Sequence, residues 1–332
     1  MACRRTGADE SGATEEGAPR QAPAQLRGPA PAPHVCVMAL DLRGDVPDRA
    51  MELRRLARAV GGSGGIALGA GLLGGGAGRP RHLRRMPTFP GDLLDPSASH
   101  GDVLVQIEGR SRSAAAEASD RLLRAVPAWK LRWRIDGFLA GSRTERGRAL
   151  TRDPFQFTEG FGNPPTEREV RERCLVRPGQ GEPSWAVGGS YQVIRLVRLA
   201  TELWDRDSQE EQERVIGRRR NGRWLDGTPA EEEPDFRADP KGRVTPLTSH
   251  VRMAAPDRRN PPPLVRRSYG YDRGDGDTGM IFSCFQRDLA AGFETVQRRL
   301  EGQELDKYVL TFGGGYFFVP PSGDAWVEAA LR

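Results

Sequence analysis

The chain has 332 residues, of which 37% are hydrophobic and 29% charged, and a formal net charge of +5. That length suits one large domain or two medium ones. No apolar run approaches the roughly 20 residues of a membrane span, and the small, dispersed positive excess lacks the interleaved aromatics of a nucleic-acid groove; neither a membrane nor a nucleic acid is expected as a partner.

Residues 1–33 are rich in Ala, Pro and Gly and read as a disordered tail. Arg4-Arg5 precedes a polar, acidic stretch and not the apolar segment of a twin-arginine export signal, so a cytoplasmic location is expected. Cys3, Cys36, Cys174 and Cys284 show no CxxC pair and no metal-ligand spacing. Cys36 and Cys284 fall in strand-like apolar runs and read as small core residues, in keeping with a reducing compartment.

The first predicted strand covers 34–42. A helix follows over 48–60, with Leu53, Leu56, Ala57 and Val60 on one face. Residues 61–78 are glycine-rich around a short apolar run at Ile66; without a following Gly-Lys-Ser/Thr they read as turns about a short strand, not as a phosphate loop. A strand over 102–108, a helix over 113–126 and a strictly alternating strand over 129–136 complete a β-α-β-β-α-β order, a ferredoxin-like unit. The second half repeats it. Strands are predicted at 190–199, 265–271, 279–286 and 309–319, with an amphipathic helix over 288–300. Ser208-x-x-Glu211 is a capping box opening a helix to about Gly217. Residues 218–248 are polar and irregular and read as a solvated insertion, its Arg218–Arg220 cluster included. The expected organisation is a tail (1–33), an N-terminal half (34–145) and a C-terminal half (146–332).

Three segments carry candidate chemistry. Ser-His-Val-Arg-Met-Ala-Ala-Pro (249–256) holds His250, one of four histidines, none at zinc spacing to another. Neutral imidazole is a good ligand for haem iron, although a lone histidine is more often structural. Phe-Thr-Glu-Gly-Phe-Gly-Asn-Pro (157–164) places Glu159 on a loop, where a carboxylate is commonly solvated but can also move a proton. Leu-Val-Arg-Arg-Ser-Tyr-Gly-Tyr (264–271) supplies Arg266, either a surface arginine at a strand end or a group that stabilises growing negative charge.

Taken together, these segments resemble the dye-decolourising (DyP-type) haem peroxidase family. Its loop motif Gly-x-x-Asp-Gly followed by Asn-Pro is similar to Gln156-x-x-Glu159-Gly160 with Asn163-Pro164. Its Ser-His-Ile-Arg-x-Ala-x-Pro is similar to 249–256, and its Leu-Arg-Arg-x-Tyr-x-Tyr to 265–271. Further similarity runs through Pro87–Asp92, Gly189–Arg195 and Phe317–Pro321, so the resemblance covers residue 34 to the C-terminus. It implies an α+β fold of two ferredoxin-like halves with antiparallel sheets, dimeric α/β-barrel-like, with haem b in the C-terminal half. It implies His250 as the iron ligand, Glu159 and Arg266 as catalytic residues, and Arg266, Gly160, Asn163, Met280 and Phe282 as cofactor-binding. The implied partners are hydrogen peroxide and a small-molecule or dye-like electron donor, and assembly as a homo-oligomer is compatible with it.

The sequence departs from the family twice. Glu159 stands for the aspartate, and Gln156 for a glycine, which restricts the loop if φ is positive there. An ungapped alignment puts Lys307, with Asp306 beside it on an expected strand, where an acid normally accepts a hydrogen bond from the proximal histidine. These departures keep two alternatives to a general peroxidase: a specialised haem oxidative tailoring enzyme of a biosynthetic pathway, or a non-catalytic haem-binding relative.

Overall fold

The structure, a computed structural model, describes residues 23–28, 31–61, 64–73, 78–145 and 148–332. Its first half runs β1 (His34–Leu42), α1 (Arg49–Val60), β2 (Gly64–Gly69), β3 (Val103–Gly109), α2 (Arg112–Ala125) and β4 (Trp129–Phe138). Asp48 and Ser111 start the two helices by accepting the N–H groups of Met51 and Ala114. A small sheet follows, of β5 (Ala140–Glu145), β6 (Arg148–Arg152) and β7 (Thr158–Glu159). The remaining elements are α3 (Glu167–Cys174), β8 (Ser190–Leu199), α4 (Thr201–Trp204), α5 (Gln209–Ile216), α6 (His250–Ala254), β9 (Val265–Arg266), β10 (Tyr269–Asp272), β11 (Thr278–Gln286), α7 (Thr295–Arg299), β12 (Val309–Val319) and α8 (Val327–Leu331).

All pairings of the large sheet are antiparallel, in the order β10-β4-β1-β3-β2-β12-β8-β11-β9, and β10 also pairs with β11. Eight strands therefore close on themselves. Each half has the ferredoxin-like order 4-1-3-2, and the halves join where β2 meets β12 and β4 meets β10. Closure removes open edges. The period-2 alternation then sorts side chains to two faces. Val35, Val37 and Ala39 of β1 turn inward to meet Ile194, Leu196, Ile281 and Phe317 from the other half. Cys36, Met38 and Leu40 turn outward beneath α1 and α2. The expected boundary near residue 145 falls in the hairpin of β5 and β6.

Several expectations change. Residues 1–22 and 29–30, most of the anticipated tail, and Cys3 lie outside the described residues, as do 62–63 and 74–77 of the glycine-rich stretch. The end of that tail is structured, however. Ala24–Leu26 forms a 3-10 turn with Leu26 buried, and Arg267 donates to the carbonyls of Leu26, Arg27 and Gly28. Strict alternation in β4 fails at a bulge opposite Ala39 and Leu40, which leaves Leu131 exposed. The helix over 288–300 is interrupted: Ala290–Glu294 is a π turn with non-helical backbone at Gly292, and only then does α7 begin. The strand over 265–271 is split into β9 and β10. Residues 218–248 are irregular as anticipated but not a solvated loop, because Trp224 is fully buried and stacks edge-on against Phe236.

Candidate functional site

Outward-facing residues of the C-terminal strands form the floor of a cavity of about 350 Å³: Arg195, Val197 and Leu199 of β8, Met280 and Phe282 of β11, Val309 and Thr311 of β12. The roof comes from α6, the π turn and α7, and residues 153–162 and the insertion supply its walls. An apolar lining with a few converging polar groups is the usual character of a ligand site.

His250 enters from the N-terminus of α6. Its Nδ1 lies 2.7 Å from Gln303 Oε1, and Gln303 Nε2 donates to Asp306 Oδ1 at 3.0 Å. A carboxylate only accepts, so Asp306 turns the nitrogen of the Gln303 amide toward itself and the oxygen toward His250. Nδ1 must then carry the proton, which leaves the Nε2 lone pair free in a ring that lines the cavity. Burial lowers the His250 pKa, against the opposing pull of the Gln303 bond, so the neutral form is favoured. Lys307 is exposed at the end of a 3-10 turn, Glu304–Lys307, and plays no part. The alignment that placed Lys307 behind the histidine is thus corrected. The turn replaces the anticipated strand, and the partner is Gln303.

Glu159 ends β7 opposite Thr151 and lines the same cavity as Arg266. Burial raises the Glu159 pKa and the positive charge of Arg266 opposes that rise. Asp153 lines the cavity as well, and burial, then Glu159, raise it strongly. Asn163 does not line this cavity, although it was expected to contact the cofactor. Its amide clasps the Arg266 main chain instead, accepting from Arg266 N at 2.9 Å and donating to Arg266 O at 2.7 Å. Gly162 leaves room for the guanidinium: a Cβ there would meet Arg266 Nη2 at 2.6 Å. Gly160, at φ +104, packs where a Cβ would collide with Ala149 O at 2.1 Å. Gln156 does adopt positive φ, 68°. Met280 and Phe282 face the cavity from β11 as expected. A second cavity, of about 330 Å³, abuts the first and shares Glu159, Gly160 and Arg266 with it.

Three features of the site escaped the sequence reading. Gln303 lies 53 residues from its partner and has no motif around it. Arg195 grips Asp92 through two bonds, at 2.5 and 3.1 Å, and also donates to Thr311; in the sequence both residues stand out only as ends of segments similar to the family. The insertion is pinned beside the site at two points. Arg220 O accepts from the N–H and hydroxyl of Thr158, next to Glu159, and Arg252, two residues after His250, binds the carbonyls of Phe236, Asp239 and Thr245.

A closed barrel of two ferredoxin-like halves, with a single imidazole and an acid–arginine pair at one cavity, defines a narrow class of proteins. The chain belongs to the Dyp-type peroxidase family: the profile described as "Dyp-type peroxidase, C-terminal" matches residues 150–324 and "Dyp-type peroxidase, N-terminal" matches 65–139. A protein named deferrochelatase from Yersinia pseudotuberculosis is 37% identical over 257 residues, covering 73% of this chain and 59% of that protein. Its namesake from Escherichia coli K12 is 35% identical over 269 residues, 76% and 64% of the two chains. The chain thus spans about three-fifths of the length of these curated relatives. Among solved structures, a DyP-type peroxidase from Streptomyces coelicolor superposes with a TM-score of 0.79 at 27% identity, covering 92% and 94% of the two chains. One from Cellulomonas bogoriensis gives 0.79 at 28%, covering 91% and 94%.

Proposed function

We propose that this protein is a haem b-dependent peroxidase that reduces hydrogen peroxide and oxidises a small-molecule or dye-like organic donor. The observation that carries this reading is the convergence of a neutral, Nε2-free His250 with Glu159 and Arg266 on one largely apolar cavity. The residues suit the group. No set of three or more His, Cys, Asp or Glu among the described residues could hold a bare metal ion, whereas one imidazole suffices where a macrocycle provides the other donors. Met280, Phe282, Val197 and Leu199 give such a flat group an apolar floor.

His250 Nε2 would hold the iron, with Gln303 and Asp306 setting the ring's tautomer and tilt. The haem, when bound, supplies the redox chemistry. Glu159 takes a proton from one peroxide oxygen and returns it to the other, which its raised pKa suits, because a group that must both accept and donate works best near the ambient pH. Arg266 stabilises the negative charge growing on the leaving oxygen, and Asn163 holds it in place from behind. Gly160 allows the close approach of the loop.

The test is reconstitution with haem followed by rapid mixing with peroxide. A Soret band present in the intact protein and lost in His250→Ala supports the ligand assignment. Peroxide consumption slowed about 100-fold or more by Arg266→Ala and by Glu159→Gln supports the roles of both. Failure of the intact protein to retain haem sinks the reading.

Two observations favour a second reading. A neutral amide behind His250 makes the ring a weaker donor to iron than a carboxylate would, and relatives at 35–37% identity bear the name deferrochelatase. In that reading the protein would release iron from a bound chelate, with two protons taking the metal's place on the ring nitrogens. Metal-free porphyrin accumulating from haem under an iron-trapping agent, with no peroxide present, would establish it.

A further inference from the structure

The insertion places one cation at the cavity without a counter-charge among the described residues. Arg218, which follows α5, lays its guanidinium 3.6 Å from the centre of the buried Trp224 ring. Arg258 lies over the same ring at 5.2 Å, but its Nε and Nη2 bind both oxygens of Glu233, at 2.5 and 3.0 Å. Among the described residues the Arg218 side chain makes one hydrogen bond, from Nη1 to Gly222 O at 3.2 Å, and no carboxylate forms an ion pair with it. Burial, then the like charges of Arg258 and Arg266, press its pKa downward, and Glu233, already engaged, opposes that shift. Arg218 and Arg258 both line the cavity.

A guanidinium seated over an indole ring can still present N–H groups at its edge to a carboxylate, which an arginine can grip through two parallel bonds. A half-buried cation without a partner is costly, and an anion brought by a ligand lowers that cost. We propose that Arg218, seated on Trp224, is a carboxylate-binding residue of this cavity. The carboxylate has two sources. One is a propionate of the porphyrin, and for this source the proposal rests on the haem reading above. The other is a free organic acid entering as electron donor.

The test uses the metal-substituted cofactor zinc protoporphyrin IX, which is fluorescent and redox-inert, and its dimethyl ester, each titrated into the apoprotein. Arg218→Gln is expected to weaken zinc protoporphyrin IX about 10- to 100-fold, while the ester binds the intact protein and the variant alike. Benzoate is then titrated into the haem-loaded protein and followed by the Soret shift. A benzoate affinity lost in Arg218→Gln, with porphyrin affinity unchanged, upholds the proposal and identifies the free acid as the source. If neither affinity moves, the proposal is overturned and Arg218 only packs on Trp224. If the intact protein binds neither porphyrin, the haem reading fails, and benzoate quenching of tryptophan fluorescence in the apoprotein decides Arg218 by itself. Should Arg218→Gln not fold, Arg218→Lys, which keeps the charge and loses the fork, is compared with the intact protein on acid and ester; equal ratios overturn the proposal.

Discussion

His250 shows how a single side chain is prepared for a task by groups behind it. Asp306 orients the Gln303 amide, and that amide orients the ring. Replacing Gln303 by Glu, made together with Asp306→Asn so that two carboxylates do not meet across the 3.0 Å contact, puts a negative charge on the Nδ1 proton, so the ring donates more electron density to iron and stabilises the ferric state. The ferric/ferrous midpoint potential of this haem-loaded double variant is expected to fall below that of the intact protein; an unchanged potential in spectroelectrochemistry would show that Gln303 does not act through the ring. In the proposed mechanism Glu159 carries the pH dependence: it would take the peroxide proton only as carboxylate, and burial raises its pKa, so activity is expected to fall with acidification sooner than an exposed glutamate would allow. Arg266 holds that pKa down. The acid limb of the pH–rate profile should therefore move to higher pH in Arg266→Ala, on top of the loss in rate, and vanish in Glu159→Gln. A limb that stays in place in Arg266→Ala would mean another group sets it.

At the scale of elements, the loop bearing Glu159 and the insertion act as one wall. Gln156 holds φ at 68°, a conformation that costs a residue with a Cβ about 1–2 kcal/mol. Gln156→Gly is expected to stabilise the protein by about 1 kcal/mol, read as a higher midpoint in denaturant; a lower midpoint would mean that the Gln156 contacts outweigh the strain. Arg152 Nη1 already donates to Gln156 O, a bond that glycine retains. The insertion was legible as polar and irregular, and that much held. Its composition hid the fact that Trp224 is a wholly buried anchor and that Arg252 and Arg220 tie it to both sides of the site. Trp224→Ala should cost about 3–5 kcal/mol, measured by thermal or chemical unfolding, where an effect below about 1 kcal/mol would return the insertion to the status of a loosely attached loop.

At the scale of the molecule, the two halves share a core as well as a sheet. Val35, Val37, Ala39 and Leu104 from one pack against Ile194, Leu196, Ile281 and Phe317 from the other. The space at Gly137 is part of that seam, since a Cβ there would press on Tyr269 and on Ile281 Cδ1, each at 2.8 Å. Neither half can bury its inner face alone. A single calorimetric transition is therefore expected, with equal calorimetric and van't Hoff enthalpies; two resolved transitions would show that the halves are independent.

What the sequence by itself determined is local. The bounds of β1, β8 and β12 follow from their apolar patterning, and the start of α5 from Ser208. The three segments carrying Glu159, His250 and Arg266 were legible because each holds several identifying residues within a few positions. Only the tertiary structure decided which distant side chains meet. Gln303 behind His250, Asn163 beneath Arg266 and Arg218 on Trp224 are joined by the closure of the barrel and the docking of the insertion. Periodicity reports whether a residue faces the core or solvent; it carries no record of the partner it finds there, because that partner is set by how elements far apart in the chain pack together.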